Sequence, residues 1–306
     1  MSMAAEMPAA RSSLWRRAMA GTAGPVAVIV TALVAFWYVM VVVMNAPWAI
    51  DRFERAKTQW TATDLVRATM SQDRPVLPAP HQIIAELNKT VLQKPVTSKR
   101  SLVYHSWVTL SSTLLGFLIG SLLGILIAVG IVHVRSLDKS LMPWIIASQT
   151  IPILAIAPMI IVVLGAIGLK GLIPKAIIST YLCFFPVTIG MVKGLRSPDH
   201  LQLDLMRTFS ANAWQTFWKL RWPSSMPYLF ASLKISIAIS LVGAIVGELP
   251  TGAQAGLGAR LLAGSYYGQT IQIWAALVMA ALVAATIVAL VGLAERIVMK
   301  RMGMRH

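Results

Sequence analysis

Long apolar windows are the feature that most constrains this chain. A helix that crosses a lipid bilayer needs roughly 20 mainly apolar residues, and the sequence contains about six such windows. We predict membrane spans over residues 25–46, 105–132, 142–168, 172–193, 228–249 and 271–294. Hydrophobic residues make up 57% of the 306 residues and charged residues only 12%, far from the composition of soluble domains. The sequence therefore predicts an all-α polytopic membrane protein with about six transmembrane helices.

The first apolar window raises the question of a cleaved secretion signal, since Arg11, Arg16 and Arg17 precede it. The window runs for about 22 residues, longer than the apolar core of a signal peptide, and no clear small-residue cleavage site follows Asn45. We therefore interpret residues 25–46 as a first transmembrane helix that is retained.

Lysine and arginine near the helix ends predict the orientation in the membrane. Basic clusters beside the first and last spans place an N-terminal tail (1–24) and a C-terminal tail (299–306) in the cytoplasm. The loop 47–104 is then extracytoplasmic despite its own excess of basic residues, because long loops are translocated largely regardless of charge. We expect it to contain short helices that lie on the membrane or on neighbouring helices. The remainder, 105–298, is a predicted five-helix core containing a cytoplasmic loop, 194–227.

Small residues mark one face of the second span. Gly116, Gly120 and Gly124 form two overlapping G-x-x-x-G patterns, and small residues at that spacing let helix backbones approach closely. The pattern favours packing inside the chain over a contact between two chains.

Prolines interrupt the third span, and polar residues precede the middle one. Ser148, Gln149 and Thr150 stand just before Pro152, which removes a helical hydrogen bond and distorts the helix. Backbone groups freed in this way need partners inside the protein or along a water-lined path. Two interpretations stay open: these residues line a translocation path, or they satisfy the distorted backbone.

Ionisable residues within or beside the spans are few: Lys175, Lys234 and Glu248. We expect Lys234 to extend its ammonium group to the inner membrane surface. An acid at membrane depth is a functional candidate. Because Glu248 stands near a helix end beside glycine and proline, we interpret it as a structural or gating residue.

Signatures of enzyme chemistry are missing from the sequence. The five histidines are scattered, the single cysteine is Cys183 in the fourth span, and neither G-x-S-x-G nor a phosphate-binding G-x-x-x-x-G-K-[ST] occurs. The net charge of +16 is explained by membrane anchoring, because no aromatic-basic platform or zinc pattern indicates nucleic acid. We predict no catalytic residue, metal, cofactor or nucleic-acid partner. Any nucleotide hydrolysis must then occur on another chain.

A basic, aromatic segment interrupts the apolar chain before the fifth span. The segment DLMRTFSANAWQTFWKLRWPSSMP covers residues 204–227. From Pro198 to Trp214 apolar residues recur near helical spacing, and Pro223 and Pro227 then stop the pattern. Such a segment is either an amphipathic helix on the membrane surface or a hairpin that binds a partner. In the hairpin interpretation Phe209 and Trp214 are the anchors.

The spacing in this segment resembles the signature loop of ABC-importer membrane subunits. That loop has an acidic residue, a glycine six positions later, an aliphatic residue ten further on and a Leu-Pro pair, and the corresponding residues here are Asp204, Ser210, Leu220 and Trp222-Pro223. The resemblance implies an ATPase-coupling loop in which Asp204 caps or orients the first short helix. The residues expected to act in it are Asp204, Arg207, Phe209, Ser210, Ala211, Trp214, Leu220 and Pro223. Serine in place of the glycine leaves the sharpness of the bend open.

Three further stretches resemble the nitrate, sulfonate and taurine type of these permeases. They are HSWVTLSSTLLGFLIGSLLGILIA in the second span, IPILAIAPMIIVVLGAIGLKGLIPKAII across the third and fourth, and GELPTGAQAGLGARLL at the end of the fifth. The resemblance implies a type I ABC-importer permease architecture in a bacterial inner membrane. It also implies as partners ATP-binding cassette subunits, an extracytoplasmic solute-binding protein, a second permease copy or sister permease, and membrane lipid.

By this resemblance the chain translocates a small solute by alternating access. Cargoes of the family include nitrate, sulfonates, taurine and pyrimidine or vitamin-like molecules. A self-sufficient secondary transporter or channel is the alternative, and it would favour an embedded ion-coupling acid and internal repeats, which we do not find. A membrane enzyme is the third class, and it lacks catalytic residues.

Overall fold

A computed structural model describes residues 23–250 and 255–303. The predicted N-terminal tail up to residue 22 and the last three residues lie outside this range. One compact unit comprises the described residues up to Glu86 together with Gly268–Ile271, and a second comprises Leu87–Tyr267 together with the described residues from Gln272 onward. The two units are considered separately below.

The regular structure of the described residues is helical throughout. The α-helices are α1 (Ala23–Arg55), α2 (Ala62–Met70), α3 (Pro80–Val91), α4 (Leu102–His133), α5 (Arg135–Ser148), α6 (Ile153–Ala166), α7 (Leu172–Leu195), α8 (His200–Thr208), α9 (Ala213–Thr216), α10 (Trp222–Val246), α11 (Leu257–Tyr266) and α12 (Thr270–Arg301). A π-helix, Phe217–Arg221, joins α9 to α10. Within residues 23–250 and 255–303, five stretches are long and apolar enough to cross a membrane, and α5 with α6 forms a sixth if that bent pair is one span. The predicted all-α, polytopic fold class is confirmed.

The third predicted span, 142–168, is not one straight helix. It consists of α5, which already begins at Arg135, and α6, and the two are bent by 97°. The break falls at residues 149–152, where Pro152 has no N–H to donate and disfavours helical geometry in Ile151. The proline was predicted to distort the helix, but the residue pattern did not predict so large an angle.

The first helix is longer than predicted. It continues past residue 46 through Pro47 to Arg55, and this extension ends in a charged last turn that contains Arg52 and Arg55. Asn45, fully buried, ties the loop that follows to this helix. Its amide nitrogen donates to the Leu77 carbonyl (2.9 Å) and its side-chain oxygen accepts from the Val76 amide (2.8 Å). The loop therefore packs on α1 through specific hydrogen bonds.

The core of the second unit is formed by α4, α7 and α10, which approach closely through small residues. A Cβ atom added to Gly116 would lie 2.4 Å from the Cβ of Ser179, and one added to Gly124 would lie 2.8 Å from the Phe184 carbonyl oxygen. Gly120 contacts Cys183 in the same way. The predicted role of the glycine pattern in packing within the chain is confirmed.

Two ionisable residues join α10 to α12. The Lys234 ammonium lies 2.7 Å from a carboxylate oxygen of Glu295, whose side chain is only 11% exposed. Lys234 therefore has a carboxylate partner on α12, and its reach to the inner membrane surface stays a prediction. Residue 295 lies just beyond the predicted sixth span, which in the structure continues to Arg301.

Candidate functional site

The segment singled out between spans begins with a well-capped helix, α8. Asp199 is its N-cap and forms a capping box with Gln202, in which each side chain accepts from the other residue's backbone amide. Asp204 lies inside the helix and forms an exposed ion pair with Arg207 at 3.0 Å. The expected capping role of Asp204 is therefore wrong, because Asp199 fills it.

Ser210 makes the bend between the two short helices. Its φ is +52°, in the left-handed region that glycine adopts most easily. The Ser210 amide donates to the Arg207 carbonyl (2.8 Å) and the Ala211 amide to the Met206 carbonyl (2.9 Å), which is the Schellman pattern of a helix C-terminus. The sharp bend is thus preserved with serine, at a strain of about 1 kcal/mol relative to glycine.

The second short helix continues into a membrane span. Asn212 caps it with a second capping box, and α9, the π-helix and α10 together form one 34-residue helical stretch, Ala213–Val246. The predicted stop at Pro223 and Pro227 is wrong. In the π-helix the Trp222 amide donates to the Phe217 carbonyl, and this wider turn directly precedes Pro223, which has no amide hydrogen to donate.

Exposed apolar side chains cover the outside of this segment, called here the hairpin (residues 198–223). The exposed fractions are 74% for Phe209 and 69% for Trp214. Leu201 and Leu205 on α8 are also exposed, whereas Ala211, Leu220 and Pro223 are half-buried. The two predicted anchors are therefore available to a partner.

An aromatic chain links the hairpin surface to the core. Trp214 contacts Trp218 edge-on at 5.5 Å, and Trp218 contacts Phe217 at 5.2 Å between ring centroids. Phe217 is buried, and its ring lies 5.3 Å from that of His133 at the end of α4. Neither Phe217 nor His133 was predicted as a site residue, because their contact joins positions far apart in sequence.

The hairpin is also held by polar contacts at its base. Arg196, at the end of α7, forms an ion pair with Asp138 of α5 at 2.8 Å. Arg221 of the π-helix donates to the Leu195 carbonyl oxygen at 3.3 Å. The base of the hairpin therefore contacts the end of α4 and the end of α7, and the hairpin continues directly into α10.

The polar residues at the bend between α5 and α6 differ in what they bond. The hydroxyl of Ser148 donates to the Ile145 carbonyl (2.7 Å) and that of Thr150 to the Ala147 carbonyl (2.8 Å), so both serve the distorted backbone. Gln149 is exposed, and its side-chain nitrogen makes a weak contact of 3.4 Å with Ser148. Of these three residues, Gln149 is the one whose side chain does not donate a hydrogen bond to a nearby backbone carbonyl.

Glu248 is the centre of a buried polar cluster at the opposite end of the second unit. Its side chain is fully buried and lies 3.2 Å from the Lys175 ammonium. The Thr109 hydroxyl and the Gly258 amide each donate to its Oε2 at 2.9 Å. The expected structural hydrogen bonding of Glu248 is present, with Lys175 as a counter-ion that sequence reasoning did not assign.

The same cluster fixes the start of α11. The Gly256 amide donates to Nδ1 of His105 (3.0 Å), and the Leu257 amide donates to the Thr109 hydroxyl (2.9 Å). Gly256 has φ +127°, and a Cβ atom there would lie 2.1 Å from the Glu248 carboxyl carbon. Buried side chains thus satisfy the first amides of α11, and Glu248 places a negative charge at its N-terminus.

The comparison with known families decides what kind of protein carries these features. Residues 120–304 match the family described as the binding-protein-dependent transport system inner membrane component. The chain belongs to this family. The matched range includes the hairpin, the bend at 149–152 and Glu248, and the family is one of transport permease subunits with the type I ABC permease fold.

Individual relatives agree with the family. Over 196 residues the chain is 31% identical to the riboflavin transport system permease protein of Chloroflexus aurantiacus, covering 64% of this chain and 71% of the relative. It is 33% identical over 142 residues to a probable ABC transporter permease protein of Haemophilus influenzae, and 30% identical over 146 residues to the formylaminopyrimidine transport permease protein of Halalkalibacterium halodurans. These two matches cover 46% and 47% of this chain, and 56% and 54% of the relatives.

Proposed function

We propose that this protein is the transmembrane subunit of an ATP-driven importer, and that the hairpin receives the ATP-binding subunit. The observation that carries the proposal is a doubly capped hairpin that exposes Phe209 and Trp214 and continues directly into a membrane-length helix. A membrane-surface helix needs only an amphipathic face. This segment instead has a fixed bend and an aromatic chain into the core, which suits a contact that must transmit force.

The mechanism follows from these connections. Closure of the ATP-binding subunits moves the hairpin, and the Phe217–His133 contact and the Arg196–Asp138 ion pair pass that movement to the core helices. The core then alternates between two accessible states. The other partners are an extracytoplasmic solute-binding protein and a second permease copy or sister permease.

The cargo class rests on the relatives. One relative is named for riboflavin and another for formylaminopyrimidine, so a small heteroaromatic solute is the first candidate. Nitrate, sulfonates and taurine are the further candidates that the family resemblance supplies.

The orientation is testable with two cysteines. We place loop 47–104 outside and residues 194–227 inside, with both termini in the cytoplasm of a bacterial inner membrane, because basic residues flank the short inner loops. Ser71→Cys is expected to react with a membrane-impermeant maleimide in intact spheroplasts, whereas Ser197→Cys reacts only after lysis. Both positions are exposed and the native Cys183 is buried, so background labelling is low. The reverse pattern would invert the topology and exclude the hairpin as an ATPase contact.

Uptake by reconstituted proteoliposomes tests the function itself. With the ATP-binding subunit, the binding protein and ATP present, the permease is expected to accumulate riboflavin, formylaminopyrimidine or taurine. Omission of ATP or of the ATP-binding subunit abolishes uptake. Uptake by the permease alone would instead establish a secondary transporter or channel.

A variant in the same assay addresses the translocation path. We propose that Ser148, Gln149, Thr150 and Pro152 form part of the path, with Gln149 as the residue whose side chain is available to cargo. Gln149→Leu is expected to reduce uptake while complex assembly and basal ATPase activity stay unchanged. Ser140→Ala is the control, since Ser140 is an exposed polar residue of the same helix, one turn or more away from the bend. Unchanged uptake in Gln149→Leu would leave the three polar residues with only their backbone role.

A further inference from the structure

A cavity of about 650 Å³ lies next to the Glu248 cluster, within the second unit. Its walls come from the start of α4, the end of α6, the α6–α7 connection, the start of α7 and the stretch that follows α10. The lining includes Tyr104, Val108, Gly165, Leu169, Lys170 and Lys175. The volume falls within the range of small-molecule sites, which combine an apolar lining with a few polar groups.

The two lysines at this cavity are not equivalent. Lys175 is buried and already neutralised by Glu248 at 3.2 Å. Lys170 is exposed, and no ion pair joins it to another of the residues that the structure describes. The cavity therefore has one positive charge left to offer a ligand. A strongly hydrated ammonium next to an apolar wall suits an anionic or carbonyl-rich group attached to an apolar ring.

Tyr104 and Gly165 define the rest of the recognition surface. Tyr104 is half-buried and its ring contacts that of His105 edge-on, at 5.5 Å between centroids. Its hydroxyl makes no hydrogen bond to another residue in the described ranges, so the hydroxyl is available to a ligand. A Cβ atom added to Gly165 would meet no atom within 4 Å, which shows that the α6 wall leaves open space at this point. Tyr104 and Gly165 therefore line the same cavity, the first with a hydroxyl and the second with open space beside it.

We propose that this cavity binds the cargo on its way through the permease, and that it selects a heteroaromatic ring whose anionic or carbonyl-rich edge faces Lys170. The inference rests on the proposed import function and adds a cargo site inside this chain. A lipid tail is the competing occupant, and it would need neither the lysine nor the tyrosine hydroxyl.

Thiol protection tests binding without requiring transport. In the purified full-length importer, Gly165→Cys is exposed to a maleimide with riboflavin, formylaminopyrimidine or taurine present, and labelling is followed by intact mass. Riboflavin or formylaminopyrimidine is expected to slow labelling, whereas taurine does not. Gly292→Cys is the matched control, because Gly292 lies in α12, away from the cavity, and a Cβ atom there also meets nothing within 4 Å. Its labelling is expected to stay constant.

The lysine is tested in the Gly165→Cys background. Lys170→Gln is expected to raise the concentration needed for half-protection by roughly tenfold, the effect of losing one charge-assisted hydrogen bond. Lys139→Gln keeps the protection, because it removes an exposed lysine near the start of α5, beside Asp138 and at the hairpin end of the second unit. The proposal would be overturned if neither riboflavin nor formylaminopyrimidine protected the cysteine, or if taurine alone protected it. Undiminished protection in Lys170→Gln would also overturn it.

Uptake gives the second, independent readout. Gly165→Trp places an indole at the cavity wall, at a position where a Cβ atom meets nothing within 4 Å, and is expected to abolish uptake, while Gly292→Trp leaves it intact. Normal uptake in Gly165→Trp would show that the cargo does not pass through this cavity. The two proposals can be refuted separately. If the parent importer takes up no solute, the proposed import function is refuted. If the importer is active and the cavity variants do not change its uptake, only the proposed cargo site is refuted.

Discussion

Replacing Glu248 with alanine is expected to lower the free energy of unfolding by about 3–5 kcal/mol, because it leaves a buried ammonium without its counter-charge. The Lys175 side chain is 9% exposed and that of Glu248 is fully buried, so the pair is largely shielded from bulk water. The substitution also leaves the Gly258 amide at the start of α11 without its acceptor. Thermal unfolding of the purified permease measures the effect, and a decrease in Tm of roughly 10 °C is expected.

Two comparisons separate charge from hydrogen bonding at this site. Glu248→Gln retains an acceptor for Gly258 and Thr109 but leaves Lys175 uncompensated, so most of the loss is expected to remain. Combining it with Lys175→Met removes both charges and is expected to recover part of the stability. The exposed pair Asp204–Arg207 is the control, since Asp204→Ala should change stability by less than about 1 kcal/mol. A Tm for Glu248→Gln equal to that of the parent would refute the structural importance of the ion pair.

The Glu248 cluster also shows why sequence patterns predict only part of such a site. The position of Glu248 at a helix end, beside glycine, was sufficient to favour a structural role. Its partner was not predictable from local spacing, because Lys175 is 73 residues away in the chain. One feature of the sequence could have indicated the pair: Glu248 and Lys175 both stand at span ends on the same predicted side of the membrane. Two opposite charges in such places favour pairing over separate burial.

At helix ends, too, the local sequence predicts some features and tertiary packing determines others. The capping boxes at Asp199 and Asn212 use residues three positions apart, so their sequence signature is readable. The predicted stop at Pro223 failed because a π-helix in front of it widens the turn, and its aromatic residues pack against one another and the core. Proline ends a regular α-helix, but tertiary packing stabilises the irregular turn that accommodates it.

Trp214→Ala combined with Asp204→Ala is expected to release the ATP-binding subunit from the purified importer and to abolish ATP-driven uptake. Large aromatic anchors at the centre of an interface each contribute about 2 kcal/mol or more, so loss of Trp214 alone corresponds to roughly 30-fold weaker binding. The isolated permease should remain folded, because Trp214 is 69% exposed and the Asp204–Arg207 pair is a surface ion pair. Co-purification measures assembly, and thermal unfolding of the permease alone checks its fold.

Trp107→Ala is the matched control, because Trp107 is 66% exposed and lies near the start of α4, at the opposite end of that helix from the hairpin. It removes an equally exposed indole and is expected to keep the ATP-binding subunit bound. If the hairpin is instead a membrane-surface helix, the opposite result is expected for the Trp214→Ala, Asp204→Ala variant. The hairpin would then bind lipid less strongly, while the ATP-binding subunit would stay bound to the permease. The aromatic chain from Trp214 to buried Phe217 gives the reason to expect release. A surface helix has no need of an indole that contacts the core, whereas an anchor on a partner can pass movement to the core helices through such a contact.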